Sequence, residues 1–500
     1  MTQRHSWFQT DTVRAELKSR SIRGGSYMLT SAATTLVLGM AATSVLARLL
    51  QPADFGLLAM VFALTAIAER FKDIGLGRAT VQKKELTHPE VSNLFWLNVA
   101  VGCGICLSVS ALSGSIARFY HEERLAHVAM LLSTTFIFGG LTIQHQALLT
   151  RQMRFLATGT IGTGSVAVSN AVAIVLALKG YGYWSLVWRE LVRSVITAAA
   201  TFACCPWVPG LPKAQINVSS QLRFGRDITI FNIVTYFTSS VDQILLGRFG
   251  GATALGLYRQ AFQLVMLPVN QITSPLTSVA EPLFSALQDE HAKYKAVFQK
   301  TVTLVSLISM PIGAGLFVCA KPIVALLLGP RWAEAVVLVK ILAVASFIRP
   351  AISTIGFVMI TCGKTARYAT LGILDSIALA TAVSVGVIWG AKGVAVGHVV
   401  ATYLVFLPFV WWALKDTPVE LRTWLRPNAR PAICSVTMAA ILCGLSGLVS
   451  FGSTFGSLAV LVVMGVCCYL GLLYFLPGGK KLLSDLLRDG RSSFSASTLS

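Results

Sequence analysis

The sequence predicts an all-α polytopic membrane protein of about 14 transmembrane helices, and three observations carry that prediction. Of its 500 residues 55% are hydrophobic and 12% charged, against about 25% charged in a soluble domain. Apolar runs of membrane-spanning length recur along the chain. Lys and Arg, whose excess gives a formal charge of +20, gather in every second interval between those runs.

A helix crossing a hydrocarbon core about 30 Å thick needs about 20 apolar residues, each rising about 1.5 Å. Runs of that length lie near 26–49, 55–76, 91–112, 126–148, 157–178, 183–204, 224–246, 254–277, 297–319, 334–360, 367–388, 393–414, 430–450 and 455–476. Trp184, Trp207, Trp332, Trp389, Trp411 and Trp424 fall near predicted ends, where amphipathic rings favour the interface. The N-terminal arm, the alternate loops with their flanking turns (beginning with Arg78, Lys83 and Lys84) and the tail hold 26 of the 41 Lys and Arg, while the opposite loops hold eight. Both termini are therefore expected in the cytoplasm, which requires an even number of spans. The first 25 residues carry Arg4, Arg14, Lys18, Arg20 and Arg23 but lack a small-residue cleavage site after the first apolar run, so they read as a retained basic arm. No loop is long enough for a separate folded domain. The longest, near 205–223 and 278–296, lie on the cytoplasmic side.

Several function classes are disfavoured by the same residues. The basic charge lies in short loops without interleaved aromatics, so it implies no nucleic-acid groove. The ten cysteines include Cys103-x-x-Cys106, but that pair, Cys204-Cys205 and Cys467-Cys468 all sit in apolar runs and read as small packing residues. Seven scattered histidines form no metal constellation, and no cofactor or metal is expected. No glycine loop for a nucleotide is present, so an ATP-driven pump would need another subunit.

An internal repeat organises the spans. Leu46-Ala-Arg48, Phe55-Gly56-Leu57 and Phe62-x-Leu64 align with Leu246-Gly-Arg248, Leu255-Gly256-Leu257 and Phe262-x-Leu264 at a constant shift of 200, with six identities in nineteen positions. A shift of six spans preserves orientation, which implies two lobes related by an axis along the membrane normal.

At these residues the chain resembles the polysaccharide-transport (lipid-linked oligosaccharide flippase) family of the multidrug/oligosaccharidyl-lipid/polysaccharide flippase superfamily. The resembling stretches are Leu50-Gln-Pro-Ala-Asp-Phe-Gly56, Ile74-Gly-Leu-Gly77, Phe95-Trp-Leu-Asn98, Asp242-Gln-Ile-Leu-Leu-Gly247, Leu255-Gly-Leu-Tyr258, Pro268 and Pro282-Leu-Phe-Ser-Ala-Leu-Gln288. They cover residues 26–290, and the last four spans fit by count and hydropathy. The resemblance implies two pseudo-symmetric six-helix lobes around a central cavity plus two C-terminal helices. The corresponding divisions are a basic cytoplasmic arm (1–25), an N-terminal lobe (26–204), a cytoplasmic linker (205–223), a C-terminal lobe (224–414), two additional helices (415–476) and a cytoplasmic tail (477–500). It also implies a bacterial inner-membrane flippase, not an enzyme. Such a protein exports undecaprenyl-pyrophosphate-linked repeat units for exopolysaccharide, capsule or lipopolysaccharide, with membrane lipid, a polysaccharide polymerase and a chain-length regulator as partners.

Charges inside the spans are the candidates for mechanism, because each costs at least about 2.5–3.5 kcal/mol at a helix centre. Seven basic residues fall there: Arg70, Lys72, Arg189, Arg193, Arg259, Lys340 and Arg349. Arg349 lies mid-span before Pro350, with Ser346 and Ser353 on its face, too deep to snorkel easily. Asn232, Tyr236 and Asp242 in the seventh span, and Arg259, Gln263 and Asn270 in the eighth, recur on single faces as a cavity lining would; helix-to-helix hydrogen bonding is the plainer reading. Arg189 and Arg193 stand one turn apart, with Glu190 able to reach Arg193, or they snorkel to headgroups. Arg70 sits among Glu69, Lys72 and Asp73 in a network that either neutralises itself or meets a pyrophosphate. Glu69, Asp73, Glu190 and Asp375 are the ion-coupling candidates, with Asp375 able to match Arg349, a proton or a cation. His145 reads as a packed polar residue.

A lipid pyrophosphate needs bidentate, desolvated donors, which arginine supplies, and its sugars need neutral hydrogen-bonding groups. Rocking of one lobe against the other would carry the head across by alternating access while the tail stays in lipid. A multidrug/cation antiporter of the same superfamily would favour an acidic cavity. A membrane glycosyltransferase or polysaccharide polymerase would need a long outer loop with catalytic carboxylates, whereas the outer loops are short and Glu122-Glu123 is the acidic pair among them.

Overall fold

The computed structural model describes residues 17–73, 75–83, 86–212, 219–288, 290–446, 454–476 and 479–480, and among them there is no strand. The chain forms two compact units, residues 1–256 and 257–500. The first contains α1 (Leu17–Leu49), α2 (Pro52–Asp73), α3 (Leu76–Gln82), α4 (His88–Tyr120), α5 (Arg124–Arg151), α6 (Phe155–Leu178), α7 (Tyr183–Cys204) and the start of α8 (Ser219–Ala286). The second contains the rest of α8, then α9 (His291–Val318), α10 (Ala320–Leu327), α11 (Ala335–Thr361), α12 (Thr365–Gly386), α13 (Gly390–Leu414), α14 (Leu421–Ser446) and α15 (Thr454–Phe475). Single 3-10 turns precede α11 and separate α12 from α13.

Among the described residues every predicted span falls on a helix. Among the described residues nine helical stretches are long and apolar enough to cross a membrane, and one of them, Thr365–Leu414, holds both α12 and α13. The seventh and eighth spans are the two arms of α8, broken at Gly251 by a left-handed φ of 76° that glycine accommodates without a Cβ penalty. α7, although it carries Arg189, Glu190 and Arg193, forms over Tyr183–Cys204, the predicted interval. What the span pattern did not reveal is α3, a short amphipathic helix after the second span, and α10.

Lipid as solvent explains the surface. Leu107 and Leu404 are 72% exposed and Phe475 83% exposed, a density of bare apolar groups that a soluble monomer would not carry. Inside the second unit, Phe284 stacks on Phe357 with centroids 5.9 Å apart, and both join Tyr294, Phe298 and fully buried Trp424 in one core. In the first unit Phe95, Leu148 and Trp207 pack together, with His145 against the Phe95 and Trp207 rings. The His145 ring also bonds the Trp207 carbonyl at 3.1 Å through Nε2.

The repeat acquires a physical meaning within residues 1–256. Pro52 opens α2 at a position that tolerates a missing N–H, and the Asp54 carboxylate accepts the Gln51 N–H at 2.8 Å, so this motif is a helix start. It delivers Gly56 against the turn after Gly251. A Cβ on Gly56 would lie 1.7 Å from the Ala252 carbonyl oxygen, and one on Gly256 would lie 1.9 Å from that of Pro52. Shifting 52 and 56 by 200 gives 252 and 256, so the two copies of the motif meet reciprocally, backbone on backbone.

Adding a methyl at either glycine forces the helices apart. Gly56→Ala and Gly256→Ala are each expected to lower stability by about 1–3 kcal/mol, the usual scale of overpacking, seen as a reduced thermal-unfolding midpoint in detergent. Because both strain one crossing, the double variant should lose less than the sum. Gly104→Ala, facing open space on α4, should leave the midpoint unchanged.

Candidate substrate-binding and coupling sites

Proline shapes the polar cluster of the second unit. In α11, Pro350 offers no N–H to the Ser346 carbonyl, and the hydroxyls around it turn back onto their own helix: Ser346 to Ala343, Ser353 to Pro350 and Thr354 to Ala351, at 2.7–2.8 Å. Arg349 projects from this weakened turn. Its Nη1 lies 2.9 Å from Nε2 of His398 on α13. A guanidinium only donates, so Nε2 must accept, which leaves the His398 ring neutral with its proton on Nδ1. The ring is 2% exposed, Nδ1 has no hydrogen-bond partner, and the Phe262 ring stands edge-on at 5.6 Å.

Arg349 also lines a cavity of about 70 Å3 with Asp375 of α12, Thr402 of α13, Phe406 and Phe409. That is room for a few waters. Asp375 shares the wall with Arg349 without forming an ion pair, so the cavity holds one cation and one carboxylate, each half-buried and neither neutralised by direct contact.

The first unit spends its charges differently. Arg189 donates to Glu190 through Nε at 3.1 Å and Nη2 at 2.9 Å, so Glu190 engages its neighbour rather than Arg193, and Arg193 is exposed. Asp242 is 4% exposed and accepts the Gln243 N–H at 2.8 Å. On the arm of α8 that belongs to the second unit, Arg259 is half-buried and Gln263 and Asn270 are exposed. Asn232 and Tyr236, together with Glu69, Arg70, Lys72 and Asp73, have side chains outside the described residues.

Two further features were not singled out from the sequence. Arg151, 8% exposed, ends α5 by donating Nη1 to the carbonyls of Thr80 (3.3 Å), Val81 (3.4 Å) and Lys83, closing the C-terminus of α3. The helix held this way walls a cleft of about 490 Å3 with α5, lined by Arg78, Gln82, Gln146 and Thr150. At the other end of the unit Arg248 reaches His121 Nδ1 at 2.6 Å and lies over Phe119 and Phe249. The Glu122-Glu123 pair is tied up in part: Arg124 grips Glu122 at 2.7 and 2.8 Å, and that hydrogen bonding holds the Glu122 carboxyl below its usual range.

Comparison with known proteins places the chain by sequence and by fold. A family model described as polysaccharide biosynthesis protein matches residues 45–337. The lipopolysaccharide biosynthesis protein WzxC of Escherichia coli is 26% identical over 388 residues, 76% of this chain and 78% of that one. The teichuronic acid biosynthesis protein TuaB of Bacillus subtilis is also 26% identical, over 453 residues, 86% of this chain and 89% of its own. Among solved structures, the lipid II flippase MurJ in an inward closed conformation aligns over 92% of this chain and 99% of its own, with TM-score 0.71 and 12% identity. An inward-facing multidrug resistance transporter of the MATE family aligns over 75% and 93%, with TM-score 0.56 and 14% identity. The two structures show a shared fold.

The pairing across α11 and α13 is testable as an asymmetry. Arg349→Ala leaves the buried His398 ring without a partner at either nitrogen and should cost about 1–3 kcal/mol, read as a lower unfolding midpoint in detergent. Combining it with His398→Phe removes the orphaned group and should recover most of the loss.

Proposed function

The chain belongs to the polysaccharide biosynthesis protein family, and from that premise we propose that it is a flippase for undecaprenyl-pyrophosphate-linked oligosaccharide repeat units. It works in the bacterial inner membrane by alternating access, with both termini cytoplasmic. The observation that carries the reading is Arg349: a mid-span guanidinium held by a neutral imidazole instead of a carboxylate. A partner that fixes geometry without cancelling charge leaves a positive centre for an anion, and arginine offers a pyrophosphate the paired donors it needs. The name of the fold neighbour, lipid II flippase, describes a cargo of the same lipid-linked kind, and WzxC and TuaB are named for building sugar polymers at the cell envelope.

In this conformation the Arg349 cavity is too small for a sugar head. The substrate reaches Arg349 when α11, α12 and α13 part at the Pro350 turn. Asp375 then gains or loses the influence of Arg349 as the pyrophosphate arrives and leaves, which makes it the ion-coupling group. Arg259, Asp242, Gln263, Asn270, Asn232 and Tyr236 meet the sugars and headgroup along α8. Arg70 at the end of α2 meets the anion at the cytoplasmic mouth and Arg189 and Arg193 on α7 meet it nearer the outer face, while Glu69, Asp73 and Glu190 are further ion-coupling candidates. A polymerase and a chain-length regulator take the product. Export of an organic cation fits less well, because such a cargo would be repelled by Arg349.

In cells, Arg349→Ala should stop export and let lipid-linked units accumulate on the cytoplasmic leaflet, measured by radiolabelled extraction with leaflet-selective modification. The R349A/H398F double variant, expected to recover the fold's stability, should be equally inactive. Normal polymer yield from either variant at wild-type expression overturns the role of Arg349.

A further inference from the structure

We propose that the cleft between α9, α14 and α15 binds the phosphate headgroup of an anionic phospholipid, separately from the transport site. The cleft has a volume of about 340 Å3 and is walled by Gln299, Thr303 and Leu307 of α9, Arg426 and Arg430 of α14, and Leu473 of α15. Small-ligand clefts span about 300–1,000 Å3. Arg426 and Arg430 stand one turn apart, so their guanidinium groups fall on one face and can close on one phosphate. Both are exposed, and the ion pairs among the described residues include neither. Carboxylates at the starts of these helices are already taken: Glu420 by Lys295 at 3.6 Å and Glu290 by Lys293 at 2.6 Å.

Three features select a lipid over a soluble anion. The α9 wall passes from Gln299 and Thr303 to Leu307 in successive turns, from hydrogen-bonding to apolar. Beyond Arg430, Ile433 is 56% exposed, and one and two turns from Leu473, Leu470 and Val466 are 47% and 53% exposed. Bare apolar surface therefore runs away from the arginines on both helices, as acyl chains below a headgroup require. The predicted span begins at residue 430, which puts the arginines at the membrane–water boundary, where phosphates lie. Pro427 and Pro431, also in the wall, remove two N–H donors from α14, so its opening turns have carbonyls free for headgroup hydroxyls or water.

Occupancy of this cleft would brace α14. Two residues before Arg426, the buried Trp424 donates Nε1 to the Ala351 carbonyl at 3.2 Å, next to Pro350. A lipid held at Arg426 and Arg430 therefore secures the seat of the turn that carries Arg349.

Purified full-length protein in neutral detergent provides the test, with thermal-unfolding midpoint followed against added lipid. Phosphatidylglycerol should raise the midpoint of wild type, and phosphatidylcholine should not. In R426Q/R430Q the half-saturating phosphatidylglycerol should rise at least roughly tenfold, whereas R422Q, which removes an exposed arginine of the same helix outside the cleft, should respond like wild type. If the double variant gives no folded protein, R426Q and R430Q singly carry the same reading. An unchanged response in the cleft variants, or an equal loss in R422Q, overturns the site. Inorganic pyrophosphate matching phosphatidylglycerol would make it a free-anion site. Polyprenyl pyrophosphate acting where phosphatidylglycerol does not would make it part of the substrate path. Either result overturns the phospholipid assignment, and none of these outcomes bears on whether Arg349 is needed for export.

Discussion

The constraint on which the rest of this structure depends is that hydrocarbon supplies no hydrogen bonds. Each helix closes its own backbone, and every departure from that closure must be met by a neighbour. Arg151 meets the open end of α3, the hydroxyls of Ser346, Ser353 and Thr354 fold back around Pro350, and Arg349 donates to Nε2 of His398 across two helices. Polarity that is matched in this way costs little. The same side chains left single would each cost several kcal/mol in lipid.

Small residues work together with that constraint. Where Gly56 and Gly256 cross, backbones come closer than any Cβ permits, and in a membrane such approach is a main source of attraction between helices, since lipid is as apolar as leucine. The motif that carried the family resemblance, Leu50 to Gly56, contains no reactive group because its work is mechanical. Pro52 and Asp54 start a helix, and Gly56 one turn on lets its backbone meet the Ala252 carbonyl.

Much of the fold was legible because its cause is one-dimensional. Span length follows from bilayer thickness and needs no knowledge of what packs against what. The helix at 183–204 was found by length alone, since its charges Arg189, Glu190 and Arg193 do not interrupt the run. The site was less legible. Arg349 could be singled out by its depth and by Pro350, but its partner His398 stands 49 residues away on a helix that otherwise reads as apolar. The one trace is that His398 and Thr402 share a face at i and i+4, and the Thr402 hydroxyl bonds back to the His398 carbonyl at 2.8 Å. Glu190 had two arginines in reach, and only side-chain geometry decides for Arg189. The contact of Gly56 with Gly256 was invisible for a different reason: the repeat identifies equivalent residues, not touching ones.

The charged-lipid cargo proposed for this chain sets a conflict between holding and release. A carboxylate partner for Arg349 would quench its charge, and no partner at all would leave a cation alone in hydrocarbon. A neutral imidazole lies between these limits: it accepts one N–H and orients the guanidinium while leaving its charge and its other donors unspent. With Pro350 weakening the helix at the same turn and Trp424 fastening the next carbonyl, the arginine sits on a joint that is hinged on one side and anchored on the other. Charge retention and local pliancy thus arise from one stretch, Ser346 to Ala351, and a change in either reaches the other through the backbone.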